Sequence, residues 1–302
     1  MIEIKDIVIT LGGKKINNSS IERKFNFKKN QILEKTGIAQ RFVSDKNQTS
    51  EYFAVQSAKK LEKKNNLKKV SHIISVTNTP SIAFPSIANY VCSNLNLNKN
   101  VHCIGLNSGC TGFVDAILIA YRLIDKNKKN SIIITTSDTY SKFLDKNDRS
   151  TIPLFSDGGS AVLIRYSANG MKLKKYFSNT EDNSQSNLIG LYDSNLKIKM
   201  NGPNVLSYAL SNVVPKLKTL IEKNKKTIVF CHQAGKVVCD AIKNNLKKNV
   251  IFPENYSYYG NLVSTSIPNL LNENKELLRK KNQIIFSGFG VGLSQTHAVF
   301  TK

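Results

Sequence analysis

The sequence predicts an α/β protein whose layered theme is built twice. Three observations carry this. Short, largely apolar runs recur with helical patterns between them, the second half repeats the order of the first, and a polar, aperiodic stretch separates the two.

In the first half the strand-like runs are residues 2–9, 72–77, 101–106, 131–136 and 161–165, with helical spacing at 50–61, 86–95 and 110–124. Strands this short and apolar, alternating with helices, fit a sheet covered on both faces. The second half offers strands at 227–230, 249–252, 283–287 and 297–301. Ile74-Ser75-Val76-Thr77 and the helix through Tyr90-Val91-Cys92 match Ile228-Val229-Phe230-Cys231 and the helix through Val237-Val238-Cys239. Likewise Ile132-Ile133-Ile134 before an Asp/Gly-rich loop matches Ile284-Ile285-Phe286 before a Gly-rich one. Repetition of this kind predicts a duplicated fold. The joint is placed near 167–170, dividing 1–168 from 169–302, and residues 170–199 are read as an excursion able to cover a site.

Composition narrows the function classes. A chain of 302 residues with 40% hydrophobic residues can bury a sizeable core. No run approaches the roughly 18 apolar residues of a membrane span, and residues 1–15 carry no apolar signal core, so no membrane association and a cytoplasmic location are expected. Cys92, Cys103, Cys110, Cys231 and Cys239 form an odd set without a C-x-x-C pair, which suggests neither a disulfide framework nor a zinc knuckle. The net charge is +23, yet only Arg23, Arg41, Arg122, Arg149, Arg165 and Arg279 are arginines. Scattered lysines such as Lys59, Lys60, Lys63 and Lys64 read as solvated helix faces, so no nucleic-acid partner is expected; an acidic protein partner would still be drawn in.

The chemistry centres on Ser108-Gly109-Cys110-Thr111-Gly112, a thiol between small residues after an apolar strand and before an apolar helix. Free N–H groups and the dipole at a helix start favour thiolate and can also bind an oxyanion, which points to a nucleophile for acyl transfer. A small buried cysteine in a strand–helix turn is the alternative. His232 follows its strand at once, at the carboxyl end where open α/β sheets gather their chemistry. His72 and His297 read as edge or surface residues, and His102 as a core histidine. Asn261 lies in Tyr259-Gly260-Asn261, which on local evidence is also an ordinary turn. Gly288-Phe289-Gly290-Val291-Gly292 lacks the third glycine of a dinucleotide fingerprint, so a nucleotide role is rejected; its backbone could still approach a ligand. Asp157-Gly158-Gly159 reads as a turn between strands.

Taken together, Thr36-Gly37-Ile38, Ala83-Phe84-Pro85-Ser86, Ser108-Gly109-Cys110-Thr111-Gly112-Phe113, Asn147-Asp148-Arg149-Ser150-Thr151, Phe155-Ser156-Asp157-Gly158-Gly159-Ser160-Ala161, His232-Gln233-Ala234, Tyr259-Gly260-Asn261 and Gly288-Phe289-Gly290-Val291-Gly292 resemble β-ketoacyl-acyl carrier protein synthase III, a thiolase-fold condensing enzyme. They run in that family's order across nearly the whole chain. The resemblance implies a thiolase-like fold of two pseudo-symmetric halves layered α-β-α-β-α. It also implies that Cys110 takes an acyl group from a thioester primer, while His232 and Asn261 hydrogen-bond the carbonyl of malonyl-acyl carrier protein for decarboxylative Claisen condensation. Cys110 and Gly292 would supply the oxyanion N–H groups, Arg149, Gly235 and Leu206 would contact substrate, and Phe84 would reach the acyl pocket across a homodimer interface. No metal or redox cofactor is implied; the substrates are acyl-coenzyme A or acyl-acyl carrier protein, and malonyl-acyl carrier protein.

Departures from the family concern the substrate. Gln31 stands where relatives often carry a tryptophan for the adenine of coenzyme A, and Gly235 and Val237 replace an asparagine and a basic residue after His232. Lys236, Lys243 and Lys247, read as one helix, would restore a basic face for the carrier protein. These changes suggest a specialised member serving a dedicated glycan or secondary-metabolite pathway. The alternatives are transfer of the Cys110-bound acyl group to an alcohol or amine, and a non-catalytic partner subunit, which would be expected to lose the cysteine.

Overall fold

Two five-stranded sheets carry the architecture of this computed structural model, which describes every residue except 99, 128, 194, 280 and 281, and only the backbone of 191–193, 195 and 196. The first contains β1 (Ile2–Leu11), β2 (Val70–Val76), β3 (His102–Leu106), β4 (Ser131–Asp138) and β5 (Gly158–Tyr166), in the order β1-β5-β4-β2-β3. The second contains β6 (Lys172–Thr180), β7 (Thr227–Cys231), β8 (Val250–Ile251), β9 (Gln283–Gly290) and β10 (Ser294–Thr301), in the order β6-β10-β9-β7-β8. In each sheet the first strand pairs antiparallel with the fifth, the fifth antiparallel with the fourth, and the fourth, second and third run parallel. The two halves therefore share order and sense of pairing, as the repeated motifs predict.

Alternation along the strands explains the layers. On β2 and β4, Ile73 and Ile133 face outward onto α1 (Ser50–Glu62) and α2 (Ile87–Ser93), while Ile74 and Ile134 face inward. The inward residues meet Phe113 and Ile117 of α3 (Gly112–Leu123) and Leu270 of α7 (Ser266–Glu273), and beyond these Ile284 and Phe286 of the second sheet. Because α3 lies between two sheets, it is apolar around most of its circumference. Val229 and Ile285 point the other way, onto α4 (Gly202–Tyr208), α5 (Val214–Leu220) and α6 (Lys236–Asn245). The result is the predicted α-β-α-β-α layering. Each fully buried isoleucine or phenylalanine in these layers contributes about 1.5–3 kcal/mol. Polar caps fix two helix starts: Thr49 Oγ1 accepts from Tyr52 N at 3.3 Å, and Ser86 Oγ from Ala88 N at 3.2 Å.

Several local expectations are corrected. The stretch after residue 170 is not wholly irregular, since Lys172–Thr180 forms β6 at the sheet edge. Only its Leu173 and Phe177 are half-buried, which leaves no apolar period to read. Leu188–Asp193 and Asn195–Met200 pair as a hairpin. Gly158 and Gly159 are not a turn; they open β5 by pairing with Leu11 and Thr10. The histidine assignments of strands β3 and β10 are exchanged. His102 is exposed on edge strand β3, stacked with His72 at 5.7 Å, because β3 ends the sheet. His297 is fully buried, since β10 runs between β9 and β6, and its Nε2 lies 2.7 Å from Gln295 Oε1. Among the described residues no helix is long and apolar enough to cross a membrane.

Candidate active site

Cys110 sits in a single 3-10 turn, Gly109–Thr111, between β3 and the start of α3. Thr111 Oγ1 ties the turn down, its one proton shared between Ser108 O at 3.0 Å and Asp115 Oδ2 at 2.8 Å. Opposite the sulfur runs the end of β9. Gly290 is required there, because a methyl group on it would lie 2.9 Å from Cys110 Sγ and its φ is +151°.

His232 extends β7 by one residue, its N–H donating to Ser287 O at 2.9 Å. Its ring packs edge-on to Phe289, with centroids 5.7 Å apart. Asn261 is clamped by residues 154–156: its N–H donates to Leu154 O at 2.9 Å and its carbonyl accepts from Ser156 N at 2.9 Å. Its Oδ1 accepts from Val263 N at 2.9 Å, so Nδ2 is left to donate elsewhere. Val263, a β-branched residue, holds φ at +52° to make that turn, a conformation that costs about 1–3 kcal/mol.

Cys110, His232 and Asn261 line one cavity of about 350 Å³ whose other walls include Leu206 and Phe289. Burial pushes the Cys110 thiol up to about 12 and the charge of nearby Asp138 adds to the rise, while the backbone N–H groups of Val291 and of Cys110 offset part of it. The expected preference for thiolate at the helix start is thus reversed, because desolvation of the buried thiol outweighs the N–H groups. Burial also holds the His232 imidazole down to about 4, partly opposed by the Val263 carbonyl, so it is neutral at pH 7. Among the described residues His232 Nδ1 has no partner.

The remaining expected residues divide. Gly235 and Lys236 line the same cavity as Leu206. Arg149 stands outside it, its guanidinium 4.6 Å from the centroid of the Phe27 ring, in a second hollow that includes Gln31 and shares Lys35 and Thr36 with the first. Phe84 is 84% exposed and lines neither. The N–H beside the sulfur belongs to Val291 and not to Gly292, because β9 runs through Gly290 and the next residue faces Cys110. Gly292 instead lines a neighbouring cavity. The three lysines do not share a helix: α6 ends at Asn245, Leu246 is extended, and Lys247 lies beyond it. Lys236 pairs with Asp240 and Lys243 with Glu254, so the basic face is partly neutralised.

Asp138, absent from the sequence reading, closes β4 beside the site. Its carboxylate accepts from Asn78 N at 2.8 Å, from Ser264 N at 3.2 Å and from the Ser264 hydroxyl, and burial still raises it to about 6. Its one sequence signal was its place at a strand's carboxyl end.

Two family models match the chain: 3-oxoacyl-[acyl-carrier-protein] synthase III over residues 104–181, and its C-terminal part over residues 218–302. A β-ketoacyl-[acyl-carrier-protein] synthase III of Acholeplasma laidlawii is 31% identical over 276 residues, covering 89% of this chain and 88% of that one. One from Streptococcus agalactiae is 32% identical over 289 residues, covering 87% of each. The crystal structure of a β-ketoacyl-[acyl carrier protein] synthase III from Thermus thermophilus superposes with a TM-score of 0.87 at 25% identity, over 99% of this chain and 98% of that one. Sequence similarity along nearly the whole length, the layered duplicated fold and the cysteine–histidine–asparagine cavity agree, and the chain belongs to the 3-oxoacyl-[acyl-carrier-protein] synthase III family.

Proposed function

We propose that the protein performs decarboxylative Claisen condensation on an acyl group carried by Cys110, using a malonyl thioester of acyl carrier protein, as in the start of fatty acid biosynthesis. The observation that supports this is the convergence of Cys110, His232 and Asn261 on one cavity from three separate parts of the chain. In the first step the sulfur bonds to the primer carbonyl as the carrier's C–S bond breaks. The proton leaves Cys110 and ends on the departing carrier thiol, which suits a thiol that burial keeps protonated until attack. Transient negative charge falls near the N–H groups of Cys110 and Val291.

In the second step the malonyl carboxylate leaves as carbon dioxide and its bonding electrons form an enolate. Asn261 Nδ2 and a neutral His232 N–H donate to the enolate oxygen. The enolate carbon attacks the acyl carbonyl, the bond to Cys110 breaks, and the sulfur takes up a proton. Gly235 and Leu206 would flank the carrier's arm, and Arg149, Lys236, Lys243 and Lys247 would meet the carrier at the mouth. Primer delivery on coenzyme A or on carrier protein is open to both forms, with Gln31 and the Arg149–Phe27 stack in place of an indole. A cytoplasmic homodimer accounts for two surface features: exposed Phe84 and the unpaired edge of β3.

The test is release of carbon dioxide from malonyl-acyl carrier protein by enzyme already acylated on Cys110, with the β-ketoacyl product followed by mass spectrometry. Acylation followed by transfer to an alcohol or amine, without carbon dioxide, would replace condensation by plain acyl transfer.

A further inference from the structure

Beside Cys110 lies a second cavity, of about 310 Å³, whose walls differ in kind. Leu188, Ile198 and Val291 make one side apolar, whereas Asn78, Asn107 and Tyr140 line the other. Leu188 also lines the first cavity, so the two adjoin there. The polar wall begins one residue from the nucleophile: a Cβ on Gly109, whose φ is +52°, would come within 2.1 Å of Asn78 Oδ1 and 3.1 Å of Val291 Cγ2. Tyr140 is buried, and that burial chiefly holds its phenol well above its ordinary range, with Cys110 and then Asp138 adding to the rise, which places it close to the sulfur.

The three polar groups form a chain with capacity to spare. Tyr140 Oη donates to Asn78 Oδ1 at 3.3 Å, and Asn78 Nδ2 donates to Asn107 Oδ1. This leaves the lone pairs of the Tyr140 oxygen as acceptors. Among the described residues Asn107 Nδ2 has no acceptor, so it remains a donor. A hydroxyl can satisfy both kinds at once. A plain alkyl chain would cover these groups and replace none of their hydrogen bonds to water.

We infer that this cavity selects a short hydroxyacyl group for Cys110 over the corresponding alkanoyl group, with Asn78, Asn107 and Tyr140 as the residues that recognise the hydroxyl. The inference rests on Cys110 being the acyl acceptor. Asn78 is half-buried and Asn107 exposed, so water keeps partial access and the discrimination is set at about ten- to a hundredfold, below that of a sealed hydroxyl site.

The experiment is single-turnover acylation of the full-length protein by the pantetheine thioesters of 3-hydroxybutanoate, each enantiomer, and of butanoate, read by intact mass and peptide mapping at Cys110. The expected result is loading of one hydroxyacyl enantiomer at least tenfold faster than butanoyl, with the ratio collapsing severalfold in Tyr140→Phe. That variant keeps the ring and its packing on Phe155, at 5.0 Å between centroids, so the fold is retained and melting checks it. Butanoyl loading as fast as either hydroxyacyl group, or an unchanged ratio in Tyr140→Phe, overturns this inference alone. No adduct at Cys110 from any of the thioesters overturns it together with the acyl-acceptor reading.

Discussion

Replacing Gly290 by alanine tests the geometry around the sulfur most directly. The added methyl would stand 2.9 Å from Cys110 Sγ and 3.0 Å from Cys110 Cβ, where non-bonded heavy atoms prefer about 3.5–4.0 Å. Cβ belongs to a turn pinned by Thr111, so the relief must come from moving β9 or rotating the sulfur. Overpacking of this size costs about 1–3 kcal/mol. A φ of +151°, which alanine rarely adopts, adds a cost of similar order. Gly290→Ala is therefore expected to lose about 2–5 kcal/mol of stability in urea unfolding. A nucleophile displaced by about 1 Å should acylate about 100-fold more slowly. Wild-type stability together with a wild-type rate of Cys110 acylation would refute the close approach on which the site's shape depends.

Three further outcomes follow from the same geometry. Asn261→Asp keeps an oxygen for Val263 N–H but removes the Nδ2 donor, so carbon dioxide release from malonyl thioester should fall about 10²–10³-fold while primer acylation changes only severalfold; equal loss of both would contradict the division of roles. With its thiol held up to about 12, Cys110 in the free enzyme should alkylate slowly at pH 7.5, and its iodoacetamide rate should still climb tenfold per pH unit above pH 9; a plateau below pH 8 would show a thiolate the structure does not support. Burial holds His232 down to about 4 and His297 to about 3, so the unfolded chain binds their protons first as pH falls below 6.5, and stability drops through that window. Asp138, raised to about 6, works in the opposite sense, leaving a net loss of roughly 3 kcal/mol between pH 7 and 4.5, to be read from urea midpoints and diminished in His297→Gln.

Strand ends were the legible part of this chain. Apolar runs bounded by glycine and polar clusters located nine of the ten strands of the two five-stranded sheets, and His232 announced itself by following one of them directly. The tenth, β6, was hidden because an edge strand covered on one side by so little leaves no alternation. Sheet order is a property of pairing and not of any one segment, and for that reason His102 and His297 were assigned to the wrong environments. A shift of one residue separated Gly292 from Val291, since spacing cannot say where β9 stops facing the sulfur. The polar wall of Asn78, Asn107 and Tyr140 comes from three loops at strand ends, and its members meet only once the sheet is assembled.

Asn261 depends on neighbours far from it in sequence. The strand Gln40–Val43 lies against the segment that clamps it: Phe42 N donates to Ser156 Oγ at 3.0 Å, Phe42 O accepts from Asp157 N at 2.7 Å, and Ala39 N donates to Ser257 O at 2.8 Å. Arg41 is almost wholly buried there, its guanidinium held by Pro153 O at 2.8 Å and Asn18 Oδ1 at 2.6 Å. Cys110 rests on none of these bonds. Loosening residues 14–43, which lie outside the two large sheets, by mild denaturant or limited proteolysis should accordingly yield an enzyme that still accepts its primer yet stalls there, a half-working catalyst that accumulates acylated protein well before the sheets come apart.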